Sequence, residues 1–177
     1  MSTNSKFSKK RNLFAFLLLA PIVLALSACT TNGGISSKGT SMSDSQANSA
    51  PLTVSANAGH EPTISKPSGK APESLVSHDV IVGTGNTATI NSTLTVHYVL
   101  MSWSTGKVIQ SSWTSGSPAT FALSQVIQGW QKGMPGMREG GRRLLIIPPS
   151  LGYGASGAGP IGANETLVFV VDLVKVA

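Results

Sequence analysis

From Ser74 onward the chain is a series of short β-type runs, each closed by turn residues, and only the stretch Val126 to Met134 carries apolar residues at helical spacing. That pattern argues for an antiparallel sheet with a single helix packed on it. Val76 to Val82 is the first run, stopped by Gly83-Thr84-Gly85-Asn86. Leu94, Val96, Tyr98 and Leu100 then alternate with Thr95, His97, Val99 and Met101, so the first set can enter a core while His97 points away and is expected in solvent. Val108 to Ser112, Pro118 to Leu123, Arg142 to Ile147 and Thr166 to Val176 complete the series; Pro148-Pro149 and a Gly-rich loop from Gly152 to Gly162 separate the last two. In the helical stretch Val126, Ile127 and Trp130 share a face with Met134, Ser124 is placed to cap the start, and Gly133 to stop the end. By period alone this is an amphipathic helix closing a sheet core. Tyr98, Phe121, Tyr153 and Phe169 open a second reading, in which Trp130 is the floor of a concave apolar pocket and these rings are its walls.

The first residues read as an address. Lys6, Lys9, Lys10 and Arg11 precede an apolar run from Leu13 to Leu26, too short for a comfortable membrane span, which ends in Leu26-Ser27-Ala28-Cys29. The charged start, the apolar run and the small residues before the thiol resemble the lipobox of bacterial lipoproteins. The expectation is a signal peptide over 1–28 and a diacylated Cys29, giving an extracytoplasmic protein anchored to the cell membrane without spanning it. Two acyl chains, at about 0.8 kcal/mol per buried methylene, suffice for stable anchoring.

Cys29 is the only cysteine, so no internal disulfide is open to the chain and stability has to come from an apolar core. The formal charge of +6, from 13 basic and 7 acidic residues, becomes +2 when the four bases ahead of Cys29 are set aside. No basic run with interleaved aromatics is left, which disfavours nucleic acid as a partner. About 150 residues follow the signal, enough for one domain and a tail. Residues 29–73 are read as that tail. Ser, Ala, Gly and Asn recur with Pro51, Pro62, Pro67 and Pro72, large apolar residues are few, and ordering entropy is not offset, so a disordered spacer is expected, with His60 and Glu61 as a solvated pair. Asp79, Glu139, Glu165 and Asp172 are widely spaced and read as surface charge. Neither a Ser/His/Asp or Cys/His set nor clustered metal ligands stand out, and no metal or cofactor is expected.

Five pieces, in order and spacing, resemble the FKBP-type peptidyl-prolyl isomerases: Val96-His97-Tyr98-Val99-Leu100; Val126-Ile127-Gln128-Gly129-Trp130; Gly140-Gly141-Arg142-Arg143; Ile147-Pro148-Pro149-Ser150-Leu151-Gly152-Tyr153-Gly154; and Thr166-Leu167-Val168-Phe169. The resemblance covers residues 74–177 and none of the tail. It implies an α+β fold, a curved antiparallel sheet of about five strands wrapped around one short helix, and a substrate, the Xaa-Pro bond of an exposed protein segment. It implies Trp130 as the pocket floor, Val126 and Ile127 at its edge with the Ile127 N–H offered to a ligand carbonyl, Tyr98 and Phe169 as walls, Tyr153 as a loop tyrosine reaching substrate or a macrolide inhibitor, and Phe121 and Ile161 among the substrate-binding positions. Core packing is the competing role for each.

The chain departs from the family pattern at the site itself. Ile109 stands where an aromatic is usual, Gln110 where an aspartate is usual, and Ala119 at another aromatic wall position. An uncharged Gln110 can neither pair with cations nor order Tyr98 as a carboxylate would. A wider, wetter pocket and weak catalysis are expected. Gly162-Ala163 replaces a usual proline pair, which is expected to loosen that loop. Three readings remain: an anchored, monomeric prolyl isomerase serving exported proteins; a chaperone-like or partner-binding module of the same fold that has lost turnover; and, least favoured because there is no second lobe, a solute-binding lipoprotein.

Overall fold

The computed structural model describes residues 51–177; the leader, Cys29 and the first part of the expected spacer lie outside the described residues. Six strands make one antiparallel sheet: β1 (Val76–Ile81), β2 (Thr93–Ser102), β3 (Val108–Ser111), β4 (Ala119–Ala122), β5 (Arg142–Ile147) and β6 (Leu167–Val176). Their order is β1-β5-β6-β2-β3, with β4 paired to the start of β2. The long strands β2 and β6 run side by side from Leu94 opposite Val176 to Ser102 opposite Leu167 and form the spine. One short helix, α1 (Gln128–Gly133), lies on the sheet. Among the described residues the α+β class and the single α-helix are as the sequence indicates, with six strands where about five were expected.

The helix begins later than its apolar spacing suggests. Leu123–Gln125 is a 3-10 turn, Val126 is extended at φ −99° and ψ 177°, and Ile127 takes the N-cap position without a side-chain cap, so Ser124 does not cap α1. Leu123 is buried and anchors the turn. The extended Val126 then turns its side chain, and that of Ile127, toward a cavity instead of along a helix face. Gly133 does not stop the helix through a left-handed backbone. It is the last helical residue, and a Cβ there would lie 2.7 Å from Leu145 Cδ2. At Gly129 a Cβ would lie 2.4 Å from Ile147 Cγ2. The two glycines, one turn apart, let α1 sit directly on β5.

The middle of the sheet, along β5, the second half of β2 and the first half of β6, is buried on both faces. On the helix side Leu94, Val96, Tyr98, Leu100, Trp130, Leu145, Ile147, Phe169 and Val171 form the main core. On the other side Met101, Trp103, Leu144, Ile146, Val168 and Val170 form a second layer, and its cover is the stretch expected to be a disordered spacer. Leu52 is buried there, with Val54, Ile64 and Ala71 packed beside it. Ser55 N–H donates to Thr63 O and Ser65 N–H to Thr53 O, both at 3.0 Å, which makes residues 53–65 a two-stranded ribbon. The expectation for 51–73 fails because a few apolar side chains at alternate positions are enough when a ready-made apolar face receives them.

Arg142 fastens this clasp. Its side chain is fully buried, and its guanidinium meets Asp172 at 2.5 and 2.6 Å, Ser55 O at 2.8 Å, Asn57 Oδ1 at 3.0 Å and His60 O at 2.6 Å. All five N–H groups of an arginine are thereby used. Glu61 accepts the Ser111 hydroxyl at 2.6 Å, tying the clasp to β3. His60 and Glu61 are therefore engaged, and Asp172, with Asp79 on Arg143, belongs to an ion pair and not to free surface charge. His97 also departs from expectation. It is half-buried, stacked on Trp113 at 4.1 Å with its Nδ1 3.0 Å from Ser112 Oγ.

Candidate active site

Between α1 and the helix-side face of the sheet lies a cavity of about 460 Å³, lined by Tyr98, Leu100, Gln110, Phe121, Gln125, Val126, Ile127, Trp130, Tyr153 and Phe169. Trp130 is buried at its floor. Three rings meet the indole edge-on or nearly so: Phe169 at 5.4 Å and 86°, Phe121 at 5.9 Å and 79°, and Tyr98 at 6.1 Å and 85°. Edge-to-face packing of this kind fixes ring planes as well as positions. The walls come from strands that cannot shift independently, since Tyr98 and Leu100 on β2 sit opposite Val171 and Phe169 on β6.

A bulge shapes the remaining wall. Opposite β2, Leu100 pairs with Gln110 and Met101 with Val108, leaving Ile109 as the extra residue. Strict alternation would send Ile109 and Gln110 to opposite faces. With the bulge, Ile109 packs against the helix-side core while Gln110 lines the cavity. The short β4 alternates simply: Ala119 and Phe121 are both half-buried and turned to the core, but only Phe121 reaches the cavity.

Polar groups at the site are few. Ile127 lines the cavity, and its N–H has no acceptor among the described residues. The segment before it is held by Gln131, whose amide donates to Val126 O at 2.7 Å. The Tyr98 hydroxyl has no hydrogen-bond partner among the described residues; burial, and secondarily the nearby Tyr153 phenol, push its pKa above the ordinary tyrosine value. The residue lines the cavity. Tyr153 is exposed at the rim.

Of the positions singled out in the sequence, Tyr98, Gln110, Phe121, Val126, Ile127, Trp130, Tyr153 and Phe169 converge on one cavity. Ile109, Ala119 and Ile161 lie behind it in the core layer and do not line it. Ile161 is buried where the Gly-rich loop closes on itself, with Ala158 and Ile161 exchanging backbone bonds at 2.9 Å. Two lining residues were missed. Leu100 was visible as the next inward position after Tyr98. Gln125 gave no signal, because its place depends on the unforeseen 3-10 turn.

Known proteins are similar to this chain in sequence and fold. The family model for FKBP-type peptidyl-prolyl cis-trans isomerase matches residues 85–174. A probable FK506-binding protein of Corynebacterium glutamicum is 46% identical over 115 residues, covering 65% of this chain and 98% of the relative. An FK506-binding protein of Streptomyces anulatus is 46% identical over 120 residues, covering 66% of this chain and 97% of its own. Among solved structures, FkpA from Escherichia coli superposes with a TM-score of 0.56 at 38% identity, over 60% of this chain and 50% of that one. A peptidyl-prolyl cis-trans isomerase from Pseudomonas syringae pv. tomato gives a TM-score of 0.53 at 33% identity, over 58% of this chain and 75% of that one. On this fold, cavity and likeness, the chain belongs to the FKBP-type peptidyl-prolyl cis-trans isomerases.

Proposed function

We propose that the cavity over Trp130 accelerates rotation about Xaa-Pro peptide bonds by desolvating the imide and binding its twisted form. The observation that carries this reading is the set of three aromatic rings packed around the Trp130 indole beneath a cavity of about 460 Å³. Rotation about the peptide C–N bond faces a barrier of ~18–20 kcal/mol because resonance is lost, and no covalent step is needed to lower it. The planar amide is charge-separated and the twisted form less so, so an apolar site disfavours the ground state more than the transition state. Each ~1.4 kcal/mol of that difference is tenfold in rate. Trp130 takes the face of the proline ring, and the Ile127 N–H holds a substrate carbonyl outside the rotating bond. The Tyr98 hydroxyl, kept neutral, donates to an oxygen only as it turns toward β2.

Turnover is weak in this reading, because Gln110 brings no carboxylate to Tyr98 and neither Ile109 nor Ala119 supplies an aromatic wall. The same three residues favour a second reading, a binding module with the groove kept and turnover lost. Clients are exported proteins, and the chain works as a monomer anchored through lipid on Cys29; the sequence from Lys6 to Cys29 supports that placement. Macrolides such as FK506 compete for the cavity, as the names of the relatives suggest.

A protease-coupled assay on a proline tetrapeptide, with FK506 titrated in parallel, separates the readings. Acceleration abolished by FK506 supports the isomerase. Tight FK506 binding without acceleration supports the binding module. Neither effect overturns both.

A further inference from the structure

We propose that Arg143, held by Asp79, is a positioning residue that sets the seat of Trp130 by locking the C-terminal end of α1; the proposal rests on reading the cavity as the proline site. A helix of six residues cannot hold itself, and its last carbonyls have no partners within it. Here they find one in β5. Arg143 Nη1 lies 2.8 Å from Gly133 O and 3.3 Å from both Met134 O and Pro135 O. Gly133 O also accepts the Ser77 hydroxyl of β1 at 3.2 Å.

The guanidinium is itself aimed from the far side. Its Nε and Nη2 grip the Asp79 carboxylate of β1 at 2.6 and 2.9 Å, a two-pronged pair that fixes its plane. A positive charge at a helix C-terminus also meets the negative end of the helix dipole. The seating of α1 on β5 makes this hold matter. Gly129 and Gly133 present no side chains to Ile147 and Leu145, so α1 sits close on β5 while contributing no side chain of its own at these two points. Trp130 stands one turn before Gly133, and its carbonyl accepts the Met134 N–H at 2.9 Å. Displacing the helix end therefore displaces the cavity floor.

The adjacent Arg142 provides an internal control. It points to the opposite face of β5, bonds only Asp172 and the clasp among the described residues, and lines no part of the proline cavity. Losing its partner should lower stability without moving Trp130.

The test uses the full chain with Arg143→Met, Arg143→Lys, Asp79→Asn and the control Asp172→Ala, each assayed below its own melting transition. The readouts are FK506 dissociation constant, tetrapeptide kcat/KM, and the Trp130 indole N–H resonance. Expected are a tenfold or larger rise in dissociation constant and a moved indole resonance for Arg143→Met, an intermediate effect for Arg143→Lys, a smaller one for Asp79→Asn, and an unmoved indole resonance for Asp172→Ala despite its lower melting temperature. Should Arg143→Met fail to fold, Arg143→Lys and Asp79→Asn carry the comparison. Wild-type affinity and an unmoved indole resonance in the Arg143 and Asp79 variants would overturn the proposal. If the wild type neither binds FK506 nor accelerates isomerisation, the site reading fails by itself, and the indole resonance still decides the positioning role.

Discussion

Replacing Asp172 by alanine asks how firmly the clasp is fastened. Arg142 is fully buried, and Asp172, with a side chain 16% exposed, is its only countercharge within salt-bridge distance among the described residues. Removing it leaves a buried guanidinium with neutral acceptors alone: Ser55 O, Asn57 Oδ1 and His60 O. Breaking a buried pair by deleting one partner costs ~3–5 kcal/mol, and the partial exposure of Asp172, which lets water reach the vacated space, places this case near ~3 kcal/mol. For a domain of this size about 3 °C of melting temperature goes with each kcal/mol, so a drop of about 10 °C is expected. The loss should be felt first in the clasp. Hydrogen exchange at the Ser55 and Ser65 amides, both donors within the ribbon at 3.0 Å, should quicken more than exchange across β2 and β6. Thermal melting with residue-resolved exchange checks both. A fall below about 1 kcal/mol, the range of an exposed pair, or unchanged clasp amides, would refute the view that Arg142 and Asp172 form the buried fastening of residues 51–68.

The remaining expectations concern the cavity and the loops that frame it. Joint Gln110→Asp and Ile109→Phe should raise tetrapeptide kcat/KM about tenfold, equivalent to ~1.4 kcal/mol of transition-state binding; an unchanged rate would mean that these substitutions are not what limits turnover. Gly129→Ala adds a Cβ 2.4 Å from Ile147 Cγ2, so overpacking of ~1–3 kcal/mol should outweigh the ~1 kcal/mol gain in helix propensity. A higher melting temperature for that variant would show that α1 is not seated on β5 as described. The Glu139 carboxylate accepts the Val176 N–H at 2.6 Å and the Asn86 N–H at 3.2 Å, bonds that hold its pKa below the ordinary value. A depressed acid pKa contributes stability above the unfolded value, near pH 4, and loses it as pH falls through the folded one. Glu139→Gln should therefore melt lower than wild type at neutral pH, with the gap closing in acid; a gap independent of pH would deny the carboxylate this role.

Much of the helix-side architecture is written locally. Alternation along Leu94 to Leu100 and the run Arg142–Ile147 identify strands whose bounds match β2 and β5 closely, and the aromatic residues that meet at Trp130 could be named one by one. What escaped depended on contacts between distant segments. The bulge at Ile109 shows only in how β3 pairs with β2, and nothing in Val108–Ser111 announces it. The clasp escaped because its composition is that of a linker; its order comes from the surface that it covers. A signal was nevertheless present on that surface. Leu144–Ile147 and Leu167–Val171 are unbroken apolar runs, the mark of strands buried on both faces, and a single short helix can cover only one of them.

That two-sided burial explains how a site without reactive side chains can hold its shape. In the mechanism proposed above, selecting a twisted imide over a planar one is a matter of wall positions, because desolvation and fit would do the chemistry, so walls that yield would admit both forms alike. The wall strands β6 and β3 are held from behind. Phe169 faces the cavity while Val168 and Val170, its neighbours on β6, lie under the clasp, and Gln110 lines the cavity while Ser111 beside it is tied to Glu61. The neighbouring arginines of β5 divide the same work. Arg142 closes the outer layer on Ser55, Asn57 and His60, and Arg143 closes the inner one on the end of α1. Because adjacent residues of a strand face opposite ways, one dipeptide can serve both layers, and a substitution at one of them tests a layer while leaving the other in place.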